Sequence, residues 1–175
     1  ATVQHRVQVK ITSVSNPLIS FTFQDTFNPD SDNKINGTLN LNFNQATPEG
    51  AYTAVVKVTV PAGAVPDITI NNLTIDVNKP KFLDSNPISG AFVRGNVPVR
   101  LQIQESNIEL WRVQVNGQDI PNNTGSTSLV DVTWETAGIE RDGSQSLNIN
   151  VKDKATNESN KAITVTLDRI SPSIQ

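Results

Sequence analysis

Cysteine and methionine are absent from the 175 residues, one histidine stands at position 5, and aromatic residues make up only 5%. Without cysteine there is no disulfide framework, no thiolate zinc site and no thiol nucleophile. The lone histidine, His5, is in register with Val7 and Val9 on an expected strand face. A Ser-His-Asp triad or a His-rich metal site would have to be assembled around that chain end, and nothing nearby supports one. No apolar run approaches the about 18 residues needed to cross a bilayer, so no membrane insertion of this segment is expected. The start also lacks the charged and apolar stretches of a signal peptide. The net charge is −3 and no Lys/Arg cluster stands out, which leaves no basic footprint for a phosphate backbone and excludes a nucleic-acid partner. With no initiator Met and a polar tail, we expect an internal fragment of a longer protein or a processed form.

What the chain does contain is Thr, Val, Ile and Asn, which favour strands and turns. No segment has a 3.6-residue period. Alternating runs recur instead. In the first half they fall at Val7-Val9-Ile11, Ile19-Phe21-Phe23, Leu39-Leu41-Phe43, residues 52–60 and residues 68–75. In the second half they fall at Val97-Val99-Leu101-Ile103, Trp111-Val113-Val115, Val130-Val132-Trp134, residues 147–151 and residues 163–167. Asn36-Gly37 and Asn116-Gly117 sit between such runs as expected hairpin turns. Strands with one apolar face must bury it against a second sheet, so the expected fold is all-β, with antiparallel sheets facing each other in each domain.

Residues 50–82 and 143–174 share a pattern, and both copies close on Asp-x-x-x-Pro, at Asp76 to Pro80 and Asp168 to Pro172, 92 positions apart. Matching closings imply matching modules. The expected domains are 1–78 and 79–170, with 171–175 a tail or linker to a following module. Proline bars a ladder hydrogen bond and holds its predecessor extended, so Asn78-Lys79-Pro80 reads as the junction. It contains no Gly/Ser-rich tract, which predicts limited hinging.

Pro80-Lys81-Phe82, Asn86-Pro87, Gly90, Val93, Gly95, Val97-Pro98-Val99 and Val113-Gln114-Val115-Asn116-Gly117 together resemble the bacterial immunoglobulin-like repeats. Asp153-Lys154-Ala155-Thr156-Asn157 resembles that family's "DxAGN" turn, with Thr156 where the family usually has Gly. The first domain shares the Gly50-x-Tyr52 opening but is about a dozen residues shorter before its strands begin, so its first edge strand is missing or supplied otherwise. The resemblance implies two tandem immunoglobulin-like sandwiches in an extracellular or cell-surface setting. Repeats of this kind serve in adhesins, surface-layer proteins, phage fibres and accessory parts of secreted hydrolases.

Candidate chemistry is sparse. Alternate oxygens at Asn28, Asp30 and Asp32 invite calcium, but the loop lacks the bend glycine, and position twelve is Leu39 rather than a bidentate Glu. An Asx-rich turn is the competing reading. Asp76 and Asp168 recur at the closings, where each can hold calcium or bond to linker amides. Calcium is thus the single cofactor candidate. Trp111 shares parity with Val113 and Val115 and is expected in the core, and Tyr52 is placed for a tyrosine corner. Trp134 ends its run and is the candidate for glycan stacking. Glu135 and Glu140 are candidate paired acids for glycoside hydrolysis, with solvated charge as the alternative. Sequons occur at Asn36, Asn72, Asn122 and Asn157. The expectation is a non-catalytic stalk or adhesive segment whose partners are neighbouring domains of its own chain and a host protein, matrix protein or glycan. The alternative is a carbohydrate-binding or spacer module of a secreted polysaccharide-degrading enzyme.

Overall fold

The computed structural model describes residues 4–32, 34–61 and 63–171. Asn33 of the Asx-rich loop, Pro172 of the second closing motif and residues 172–175 of the expected tail lie outside them. The described residues are strand and loop apart from one 3-10 turn, Thr136–Gly138. They divide into unit 1, Ala1–Val77, and unit 2, Asn78–Gln175.

Unit 1 contains β1 (His5–Ser13), β2 (Ser20–Phe27), β3 (Gly50–Val60), β4 (Gly63–Ala64) and β5 (Ile68–Ile75). All belong to one antiparallel sheet in which β1 pairs with β2 and β3, while β4 and β5 both pair with β3. The buried core is Val9, Ile11, Tyr52, Ala54 and Ile75. Its cover differs from the expected second sheet, because the described residues between 28 and 49 form no strand and Leu39-Leu41-Phe43 is a loop. The segment meets the sheet through side chains rather than backbone ladders. Phe43 sits edge-on to Phe21 and Phe23, with ring centroids 5.7 and 5.6 Å away, and Leu39 packs against the same core. Polar groups are bonded locally: the Asn44 amide donates to the Thr47 hydroxyl and the Ala46 amide to Asn44 side-chain Oδ1. Asn36-Gly37 is likewise no hairpin, since neither residue has positive φ. Glycine is needed there because a Cβ would collide with the Phe27 ring.

Unit 2 contains β6 (Lys81–Asn86), β7 (Phe92–Val93), β8 (Asn96–Gln104), β9 (Ile108–Val115), β10 (Gln118–Gly125), β11 (Leu129–Glu135), β12 (Gly143–Asp153) and β13 (Glu158–Leu167). They form two sheets, ordered β10-β9-β12-β13-β7 and β11-β8-β6, which face each other as an immunoglobulin-like sandwich. Period-2 burial runs through β8, β11, β12 and the end of β9, so Val99, Leu101, Val113, Leu147 and Ile149 point into one core. Each such side chain contributes roughly 1.5–3 kcal/mol by leaving water. Asn116 and Gly117, at φ 50 and 78, close the β9–β10 hairpin as expected.

One pairing departs from the antiparallel expectation, because β7 runs parallel to β13. The Gly90 amide donates to the Thr164 carbonyl at 2.7 Å, the Thr166 amide to Ala91 at 2.9 Å and the Asp168 amide to Val93 at 3.0 Å. A chain that makes a short jog after β6 can leave its first sheet and join the other beside the last strand.

Candidate functional site

The residues singled out in the sequence take mainly structural positions. His5 is buried at the start of β1. The Asp30 carboxylate accepts the Asp32 and Lys34 amides at 2.9 and 2.8 Å, so the Asx-rich loop closes on itself. Among the described residues neither Asp30, Asp32 nor Asp168 belongs to a trio of ligand atoms close enough to hold one ion. Asp168 accepts the Ile170 amide at 3.1 Å, and Asp76 is half-buried just after β5. Glu135 and Glu140 are exposed. The Tyr52 hydroxyl donates to the Pro48 carbonyl at 2.5 Å, a tyrosine-corner contact.

Trp134 corrects its expected role. It is only 2% exposed, because β11 pairs in register with β8, Trp134 opposite Val97, and both face the core. A ring with no open face cannot stack on a sugar. Trp111 is also in the core, under the backbone of Gly125, where an added Cβ would collide with the indole. Of the sequon asparagines, Asn36, Asn72 and Asn122 are exposed. Asn157 donates its Nδ2 to the buried Asp153 carboxylate at 2.9 Å, and its own amide donates to that group at 2.8 Å.

A different surface gathers polar groups. With Val113, Leu147, Ile149 and Val165 pointing inward, the alternate positions of β9, β12 and β13 line the outer face of the five-stranded sheet. Register sets Arg112, Asn150 and Asn160 opposite one another across three strands, with Leu110, Lys152 and Glu158 as the adjacent row. They border an open cleft of about 640 Å³ that Lys79 and Gln114 also line.

Its side chains are held by bonds among themselves. Asn160 Nδ2 donates to Asn150 Oδ1 at 2.5 Å, and Lys152 pairs with Glu109 at 3.0 Å. Asp119 accepts Arg112 Nε and Gln114 Nε2 at 3.0 and 2.9 Å. The Arg112 bond, then the Gln114 bond, hold the Asp119 carboxyl below its ordinary 3.8. At the far edge of the same face, β7 sets Phe92 opposite Thr166, and Phe92 is 75% exposed. This surface was implicit in the sequence as the polar complement of the apolar alternation, but its rows exist only once strand register is known.

No family model and no curated protein matches the chain. Among solved structures, the fibronectin(III)-like modules of Clostridium thermocellum CbhA align at 12% identity over 96% of this chain and 82% of theirs, with a TM-score of 0.43. The fold assignment rests on the strand pairing described above.

Proposed function

We propose that this chain is a tension-bearing spacer segment of a secreted or cell-surface protein, with its neighbouring immunoglobulin-like domains as its first partners. The observation that carries this reading is the parallel pairing of β7 with β13. Once β6 has been peeled from β8, force applied through the chain pulls β7 toward its N-terminal end and β13 toward its C-terminal end. For parallel neighbours those pulls are opposed along the strand axis, so the three bonds from Gly90, Thr166 and Asp168 are loaded together in shear instead of being unzipped singly. Two units in series, each with its own apolar core, suit a stalk, as does the resemblance of residues 80–168 to bacterial immunoglobulin-like repeats.

Single-molecule pulling on the whole chain tests the reading. Two unfolding events are expected, one per unit. Thr166→Pro deletes the amide that donates to Ala91 and should lower the force of one event while leaving the other unchanged. Equal forces in wild type and variant would defeat the spacer reading.

A further inference from the structure

We infer that the outer face of the five-stranded sheet of unit 2 binds a neutral, hydroxyl-rich chain, namely an extended stretch of uncharged β-linked polysaccharide. This is a second activity, separate from bearing tension, and it is carried by the Arg112, Asn150 and Asn160 row together with Phe92.

The row presents amide and guanidinium groups at strand spacing, about 4.8 Å. Amides offer a donor and an acceptor on one plane, which matches adjacent hydroxyls of a sugar ring. The bond between Asn150 and Asn160 and the bonds from Arg112 and Gln114 to Asp119 hold these groups in place before any ligand arrives, which lowers the ordering cost of binding. Leu110, 45% exposed in the adjacent row, supplies an apolar floor for the C–H face of a ring.

Charge selects among ligands. The cations at the cleft are Lys79, Arg112 and Lys152. Against them stand Asp119 and Glu109, paired to two of those cations, and Glu158 in the wall. Cations and anions match in number, so a polyanion gains no field here. A protein partner is a poor match, because the row lacks the buried aromatic anchors that dominate such interfaces.

Length follows from Phe92. It projects on the same face as Asn160, six positions along β13 through its partner Thr166. At about 3.3 Å per residue the two anchors are roughly 20 Å apart, a span for several sugars in an extended chain. An exposed phenyl ring is a stacking platform for a pyranose. The cleft volume, about 640 Å³, lies within the range of small-ligand sites, about 300–1,000 Å³.

The test is an amide-shift titration of the whole chain with cellohexaose, xylohexaose and mannohexaose, with a sulfated heparin hexasaccharide as the polyanionic probe. At least one neutral hexasaccharide should produce saturable shifts at Arg112, Asn150, Asn160 and Phe92. The paired substitution Asn150→Ala with Asn160→Ala, and separately Phe92→Ala, should each weaken that binding about tenfold. Gln102→Ala, on β8 of the opposite sheet, should leave it intact. The inference is overturned by no saturable shift up to about 10 mM of any neutral probe, by binding of heparin alone, or by shifts confined to other surfaces. Should the paired variant misfold, the wild-type shift map and Phe92→Ala decide the matter.

Discussion

Thr156 occupies a backbone position that a branched side chain resists. Its φ is 72, in the left-handed region that costs an L residue roughly 1–2 kcal/mol. It sits in the turn from β12 to β13, where Asp153 caps the Asn157 amide and the Thr156 amide donates to the Asp153 carbonyl at 3.1 Å. Thr156→Gly should relieve the strain, less the extra entropy glycine gives the unfolded chain, for a net gain of roughly 0.5–1 kcal/mol in urea unfolding. Loss of stability in that variant would show the turn is held by the threonine itself.

At the scale of elements, the sandwich of unit 2 is tied where β12 begins and β13 ends. Asp142, just before β12, accepts the Arg169 amide at 2.8 Å and Arg169 Nε at 2.6 Å. The amide bond first, and the guanidinium second, hold its carboxyl below the ordinary 3.8. Since the folded value lies below the unfolded one, the tie contributes in full above the ordinary carboxylate range and is lost as pH falls through the folded value. Arg169→Ala removes the guanidinium share. Urea midpoints should therefore separate wild type from Arg169→Ala at about pH 7 and draw closer in acid, below the ordinary carboxylate range. A constant separation at both would place the effect elsewhere.

At the scale of the whole molecule, both tryptophans lie in unit 2 and the single tyrosine in unit 1, so each unit carries its own reporter. Ile149, fully buried in the core of unit 2, is a test of how far the cores are separate. Ile149→Ala should cost about 2–5 kcal/mol through lost burial and the cavity left behind, seen as an earlier tryptophan transition. Hydrogen-exchange protection in β1 and β3 should stay as in wild type. Joint loss of protection in both units would mean that they unfold as one body.

The alternation at Val97-Val99-Leu101-Ile103 and Trp111-Val113-Val115 was enough to name strands and their inward faces, because the pleat turns successive side chains to opposite sides whatever the partner strand is. The Asn116-Gly117 turn was legible for the same local reason, since few residues tolerate its dihedrals. Leu39-Leu41-Phe43 shows the limit. It has the strand pattern, yet its backbone pairs with nothing, and Phe43 is recruited by the Phe21 and Phe23 rings instead. β10 shows the converse, a run of Gln, Asp, Pro and Asn with no apolar alternation that pairs with β9 because the hairpin delivers it there. Periodicity thus determined an all-β chain and which side chains its strands bury. Tertiary pairing alone decided that β7 joins β13 in parallel and that Arg112, Asn150 and Asn160 form a row. Those outcomes depend on register between residues distant in sequence, and no local pattern encodes it.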